Sequence, residues 1–368
     1  EGQIGGSIVQ MTFAHPLRLL AIAPILTLAA NLVSASTATA SSSPLVCVTG
    51  ASGYVASVLV QTLKDKGYRV RGTVRNVTRY KDEPVFRGVE LFSADLMKAG
   101  SFAKAFQGCA AVFHCASPFV SKFTDPEKEL IRPAVDGTLN VLRSAVDTKV
   151  PRVVLTSSTA AIGPPQFNAD KLPSDKMFSE EDWNVDSTLE HGAYRLSKRR
   201  AEEAAWQFVK EHPDLRLSVI NPSFVVGPPV LTRASGVSVS TFVSMLNGDM
   251  KKTGCSASCF GAVDIRDVAE AHVRALETPA AGGKRFLLSS TAAYSQMDFA
   301  DMLRFSEFKE YPLPTRISSS ILYRPKYNHA RAEKILGIRL RPIKESILDM
   351  ARKLVESGMV AQPETCEQ

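Results

Sequence analysis

Cysteine is scarce: Cys47, Cys109, Cys115, Cys255, Cys259 and Cys366 are spread over 368 residues. None are spaced Cys-x-x-Cys and no Cys/His ligand pattern occurs, which excludes a disulfide-stapled scaffold and gives no metal site. Structural thiols are the expectation. Long apolar runs are also lacking. The longest, Leu19 to Ala30, has twelve mostly apolar residues with Pro24 inside it, short of the roughly 18 to 20 that a membrane span needs, so no stable span is expected. Gly 22 and Pro 21 show no collagenous or low-complexity excess. No internal repeat and no basic stripe with interleaved aromatics is found, so nucleic acid is not an expected partner, although 44 Lys+Arg against 37 Asp+Glu leave a charge of +7. What is present is 45% hydrophobic and 22% charged residues, enough to build a soluble core.

The N-terminal stretch is read separately. Glu1 is not an initiator, and residues 1–10 before Met11 are kept out of fold reasoning. Arg18, the apolar run, Val33-Ser34-Ala35 and a Ser/Thr/Ala stretch to Ser43 have signal-peptide grammar. Between Glu1 and Asp65 there is no acidic residue, as in organelle-import leaders. A removable leader over about residues 11–35 is expected, ahead of a cytoplasmic-type domain. The sequon Asn76-Val77-Thr78 argues against simple secretion, because a glycan there would crowd the phosphate site described below.

From Pro44 onward short β-branched runs alternate with helical patterns, the mark of a parallel sheet covered on both faces. Strands are expected at Leu45–Thr49, Tyr68–Val74, Val89–Phe92, Ala110–His114, Arg152–Thr156, Leu215–Asn221 and Arg285–Ser289. Helices are expected at Tyr54–Lys66, Lys128–Asp147, Tyr194–Lys210, Arg266–Leu276 and around Leu336. The fold class is α/β, a doubly wound parallel sheet of Rossmann type with a smaller C-terminal substrate-binding lobe. Its expected division is a leader at 1–43, a dinucleotide-binding domain at 44–221, a lobe at 222–360 that adds a further strand to the sheet, and a tail at 361–368.

The first strand ends in Thr49-Gly50-Ala51-Ser52-Gly53-Tyr54-Val55-Ala56, a G-x-x-G-x-x-A pattern opening into a helix. Gly50 permits the tight turn, Gly53 lets the backbone approach a pyrophosphate, and Ala56 lets helix and strand pack closely. Free N–H groups and the helix dipole then face the anion, so Ser52, Tyr54 and Val55 join the glycines as cofactor contacts. The glycine pattern alone is weak evidence; its setting between strand and helix strengthens it. About 20 residues further on, where an acid would bind the ribose of NAD, stands Val74-Arg75-Asn76. Arg75 can pair a 2′-phosphate, and Lys81 can add a second positive charge, so NADP(H) is the expected cofactor. Asp95, followed by Leu96, can accept from an adenine amino group or cap the next segment.

Tyr194 and Lys198 stand four residues apart in a helical segment and so share one face. An ammonium beside a phenol lowers its pKa and suits it to proton transfer. By itself this spacing is common. Ser158 follows a strand at the C-terminal edge of the sheet, where ligands bind in such folds, and its hydroxyl can hold a carbonyl oxygen. Ser157 is the competitor, since neighbours point to opposite sides; Ser158 is preferred.

These residues carry a family resemblance. The chain resembles the extended short-chain dehydrogenase/reductases, most of all the dihydroflavonol reductase and cinnamoyl-CoA reductase branch. The resemblance spans roughly Pro44 to Val360. It rests on the glycine turn, Thr73-Val74-Arg75, Ala94-Asp95-Leu96, Val112-Phe113-His114-Cys115-Ala116-Ser117-Pro118, Thr156-Ser157-Ser158, Tyr194 with Lys198, Asn221-Pro222-Ser223-Phe224-Val225-Val226-Gly227-Pro228, and Asp264-Ile265-Arg266-Asp267-Val268. It implies a Ser158/Tyr194/Lys198 triad in which Tyr194 protonates the substrate oxygen as hydride arrives from NADPH. It also implies that Ala116 and Ser117 line the cofactor and that the backbone from Pro222 to Val225 seats the nicotinamide.

Three departures from the branch stand out; the first shortens the helix near Lys81, and the other two narrow the substrate. The stretch between Arg75 and Asp95 is shorter than usual in the branch. Glu190-His191-Gly192-Ala193-Tyr194 lacks the Asn-Trp-Tyr-Cys-Tyr run of plant cinnamoyl-CoA reductases, and Gly163 stands where plant dihydroflavonol reductases usually place Asn. An aldehyde or ketone with an apolar or aromatic body is left as the expected small-molecule substrate. A hydroxysteroid dehydrogenase, an NAD-dependent sugar-nucleotide epimerase or dehydratase, and a non-catalytic dinucleotide-binding regulator are the alternatives. His114 is read as a packed histidine, His191 as a loop residue at the pocket margin, and Cys255 with Cys259 as unlinked thiols. Lys198-Arg199-Arg200 followed by Glu202-Glu203 reads as a solvated helix face.

Overall fold

A computed structural model describes residues 43–118, 123–163, 173, 175–320 and 323–363. The expected leader therefore lies outside the described residues, as does the end of the tail. Among the described residues, seven strands form the main sheet: β1 (Leu45–Thr49), β2 (Arg69–Val74), β3 (Glu90–Ser93), β4 (Ala111–His114), β5 (Arg152–Thr156), β6 (Arg216–Pro222) and β7 (Lys284–Leu288). Their spatial order is β7-β6-β5-β4-β1-β2-β3, and every neighbouring pair is parallel. This is the doubly wound arrangement, with the reversal of strand order between β1 and β4.

Alternation along each strand feeds two cores. Val46, Val48, Ala111, Phe113 and Val154 face one side, while Cys47, Val112, Val153 and Leu155 face the other. Helices α1 (Tyr54–Asp65) and α4 (Ile265–Glu277) pack together over the first face, and α2 (Arg132–Asp147) and α3 (Ala193–Glu211) over the second. Both faces are thus dry, which is why these strands read as nearly continuous apolar runs.

Sequence periodicity places one continuous helix at Lys128–Asp147. The structure instead shows one wide turn, Glu127–Ile131, before α2 begins at Arg132. Pro133 explains the break: it has no N–H for the carbonyl one turn back, and its ring crowds that carbonyl. Beyond β6 the apparently irregular stretch holds a second, three-stranded sheet of Phe224–Val226, Phe260–Asp264 and Ala293–Tyr294. Phe299 stacks or tilts against Phe224, Phe242, Phe260 and Tyr294 there, forming the aromatic centre of this region. No helix among the described residues is long and apolar enough to cross a membrane.

Candidate active site

Because the strands are parallel, their C-terminal ends share one edge. Thr49, Val74, Ser93, His114, Thr156 and Pro222 end their strands there. The candidate residues follow within a few positions of these ends or approach them from α3.

At the end of β1, Gly50 has φ +63°, and a Cβ on it would come within 2.9 Å of the Ala116 Cα. Glycine is required there both for its conformation and for the close approach of two loops. Gly53 caps α1 without a side-chain hydrogen bond, and the first turn has no acidic residue. The leading N–H groups at Tyr54 and Val55 are therefore open to an anion, with half-buried Ser52 beside them. The Tyr54 side chain turns away from this turn. Its hydroxyl donates to the Gly227 carbonyl at 2.5 Å and lies 3.8 Å from Met350 Sδ, tying α1 to the C-terminal part of the chain.

Arg75 follows β2, is exposed, and has no ion-pair partner among the described residues. Lys81 is exposed in the turn beyond, its N–H donating to the Val77 carbonyl at 3.0 Å. Asp95 follows β3 and takes the Met97 N–H on Oδ1 at 2.8 Å, a contact within a turn and not at the start of a helix. Leu96 packs on α2, close enough that a Cβ at Gly137 would lie 3.0 Å from its own.

The loop after β4 is fixed by a short polar chain. His114 Nδ1 and Thr49 Oγ1 are 2.9 Å apart, and Thr49 Oγ1 accepts from the Ala116 N–H at 3.1 Å. Burial holds the His114 pKa down at about 3, with the nearby Lys198 charge adding to the effect. His114 is a neutral, packed scaffold residue. Ser117, next along, accepts a hydrogen bond from Lys198 Nζ on Oγ at 2.9 Å. The same Nζ lies 5.9 Å from the centroid of the Tyr194 ring. Tyr194 itself is 38% exposed at the start of α3.

The two serines after β5 diverge. Ser157 is buried and donates to Glu202 Oε2 at 2.6 Å. Ser158 is half-buried; its Oγ accepts from the Ala160 N–H at 3.1 Å and lies 3.5 Å from the Pro222 carbonyl oxygen. The turn Thr159–Ala161 that follows packs against α3, so the Ser158 turn and the Tyr194 helix adjoin. Val225, in the strand after Pro222, is buried, while Ser223 between them has an Oγ that is buried and without a hydrogen-bond partner among the described residues. That unmet polar atom, the uncapped α1 N-terminus and the unpaired Arg75 suit a dinucleotide lying along this edge.

Some features were not visible in the sequence. Glu202 is fully buried against Arg285, contrary to the expected solvated face, and Arg199 is largely buried too, donating from Nη1 to the Asn184 carbonyl at 3.1 Å; Arg200 keeps to that description, pairing with Glu127. The i, i+4, i+8 spacing of Tyr194, Lys198 and Glu202 was the available signal. Arg195 donates from Nη1 to the Gly163 carbonyl at 3.0 Å. His191 is exposed in the loop before α3. Cys255 and Cys259 are both buried, and among the described residues no cluster of His, Cys, Asp and Glu is placed to hold a metal.

The chain is 39% identical over 324 residues to a cinnamoyl-CoA reductase of Medicago truncatula, covering 85% of this chain and 96% of the relative. Among solved structures, Gre2 of Candida albicans in complex with NADPH superposes with a TM-score of 0.75 at 31% identity, over 85% of this chain and 99% of that one. Vestitone reductase of alfalfa, Medicago sativa, gives a TM-score of 0.70 at 26% identity, over 86% and 99%. The pattern described as the NAD dependent epimerase/dehydratase family matches residues 46–288. The chain belongs to that family, in its branch of extended short-chain dehydrogenase/reductases related to cinnamoyl-CoA and dihydroflavonol reductases.

Proposed function

We propose that this protein is an NADPH-dependent reductase that converts the carbonyl group of an aldehyde or ketone into an alcohol, with Ser158, Tyr194 and Lys198 as its catalytic residues. Bound NADPH supplies the hydride. Tyr194 gives its hydroxyl proton to the carbonyl oxygen as charge develops there. The phenolate that remains is stabilised by the Lys198 ammonium beside its ring, which Ser117 holds in place. Ser158 donates from Oγ to the same carbonyl oxygen, orienting it and sharing its negative charge. The observation that carries this reading is the placement of Lys198 between Tyr194 and the Ser117 loop at the sheet edge.

The assignment of binding roles follows the strand ends. The β1–α1 turn, Gly50 to Val55, takes the pyrophosphate; Arg75, with Lys81 nearby, takes the 2′-phosphate; Asp95 and Leu96 border the adenine; Ala116, Ser117 and the Pro222–Val225 backbone line the nicotinamide end. The exposed, unpaired guanidinium at the end of β2, where an acid would select NAD, supports NADPH. The NADPH-bound Gre2 structure supports the same choice. Residues 44–221 form the cofactor part and 222–360 the substrate lobe. Ile162, Phe178, Leu287 and Tyr327 form a buried core cluster beside Gly163; the apolar or aromatic body proposed for the substrate rests on the family resemblance instead.

The test is a panel of aldehydes, ketones and dihydroflavonols incubated with purified protein and NADPH, followed by loss of cofactor fluorescence. Turnover of one class is expected; failure to oxidise NADPH with any of them contradicts the reading.

A further inference from the structure

Glu202 stands one helical turn beyond Lys198 and two beyond Tyr194 on α3, yet it is fully buried. Its two carboxylate oxygens collect donors from four side chains, three of them outside its own helix. Ser157 donates to Oε2 at 2.6 Å and Asn221 Nδ2 to Oε2 at 2.8 Å. Arg285 on β7 donates from Nε to Oε1 at 2.6 Å, with Nη2 3.4 Å from Oε2, and Trp206 Nε1 reaches Oε1 at 3.2 Å. A carboxylate removed from water in this way is tolerable only with such a set of partners.

Three of these partners lead back to the turn that carries Ser158; Trp206 lies on the same helix as Glu202. Asn221 Nδ2 also lies 3.3 Å from the Ser158 carbonyl oxygen, so one amide group links Glu202 to that backbone. Ser157 is the residue before it. The third route is longer. Arg285 Nη1 holds the carbonyls of Glu180 and Asp182, each at 2.8 Å, and the guanidinium lies 3.8 Å from the Trp183 ring centroid. Asn184, at the end of that loop, donates its N–H to the Ala161 carbonyl and its Nδ2 to the Ala160 carbonyl, both at 2.9 Å. Glu202 thereby joins α3, the ends of β5 and β6, strand β7 and the 180–184 loop.

We infer that the buried Glu202–Arg285 pair is a positioning device for the proposed reaction: it sets the register of the Tyr194/Lys198 helix against the Ser158 turn. It rests on the catalytic roles proposed above for Ser158, Tyr194 and Lys198. Glu202 touches neither cofactor nor substrate and acts only through Ser157, Asn221 and its own helix. A fixed register matters because displacing reacting groups by about 1 Å can cost on the order of 10²-fold in rate. Ordinary core packing would also hold these elements together, but it would leave the helix freer to slide along its axis; directional bonds to one carboxylate do not.

The experiment compares the full chain with Ser157→Ala, Ser157→Thr and Glu202→Gln, measuring kcat, KM, NADPH affinity by fluorescence and thermal midpoint. Ser157→Ala keeps the ion pair and removes one strut, so it is expected to fold, to bind NADPH and substrate within about twofold of wild type, and to lose kcat by about tenfold. Ser157→Thr, which retains the hydroxyl, is expected to recover most of that loss. Glu202→Gln is expected to lose more kcat than Ser157→Ala; should it not fold, the Ser157 pair still decides. A folded Ser157→Ala enzyme with wild-type kcat overturns the inference and leaves the reductase reading standing. A kcat loss accompanied by an equal loss of NADPH affinity also overturns it, since that pattern marks general loosening. Wild-type protein that reduces no carbonyl overturns both.

Discussion

Lys198 Nζ donates to Ser117 Oγ at 2.9 Å and lies 5.9 Å from the Tyr194 ring centroid, so one ammonium joins the loop after β4 to the phenol on α3. The lysine is fixed by the loop after β4 rather than by its own helix. Ser117→Ala removes that anchor. One ordinary hydrogen bond contributes about 0.5 to 1.5 kcal/mol, so kcat should fall roughly three- to tenfold in steady-state assays at saturating NADPH. An unaltered kcat would show that Lys198 needs no such anchor.

The proposed role of Arg75 is to select the coenzyme. Its guanidinium has no ion-pair partner among the described residues, so a 2′-phosphate gains a full charge-assisted pair there. Arg75→Asp should lower the NADPH to NADH ratio of kcat/KM by about 10- to 100-fold. Initial rates with both coenzymes measure it, and an unchanged ratio would remove the role.

Gly50 has little freedom to change. At φ +63° any L side chain is strained by about 1 to 2 kcal/mol, and the added Cβ would also strike the Ala116 backbone at 2.9 Å. Gly50→Ala should lower the thermal midpoint and weaken NADPH binding by tenfold or more, about 1.4 kcal/mol. Scanning calorimetry and fluorescence titration read the two effects separately.

Acid should destabilise the fold through two buried histidines. His114 is pushed down to about 3 and His272 to about 4, both by burial, from an ordinary 6.5. His272 sits between Thr156 Oγ1, 2.7 Å from Nε2, and the Val268 carbonyl, 2.7 Å from Nδ1. Both are held neutral in the fold, so between these values the unfolded chain binds more protons than the folded one. Their contribution is complete above about pH 6.5 and is lost as pH falls toward 4 and 3, at up to about 1.4 kcal/mol per group per pH unit. His114→Asn keeps a partner for Thr49 and removes one titrating base. Its thermal midpoint should fall less between pH 7.5 and 5.0 than that of wild type.

The sheet was legible because both its faces are buried, which makes each strand an apolar run and each crossover an amphipathic helix. All seven main strands lie within a residue or two of where sequence alone puts them. The second sheet was not legible: strands such as Phe224–Val226 and Ala293–Tyr294 are too short to show a period. At the site, the glycine turn, Arg75 and the Tyr194/Lys198 spacing could be read because each is local in sequence. The Lys198–Ser117 bond and the Glu202–Arg285 pair join residues 81 and 83 positions apart, so no window of sequence contains them. The charged neighbours of Glu202 suggest a solvated position, whereas helix geometry turns it inward with Lys198.

Proton donation by Tyr194 is the centre of the account, and Tyr194→Phe tests it most directly, since it removes one oxygen and leaves the ring beside Lys198. With a carbonyl substrate that wild type reduces, the variant should bind NADPH as tightly as wild type while kcat falls by about 10²-fold or more. Equal kcat in the two proteins would contradict it.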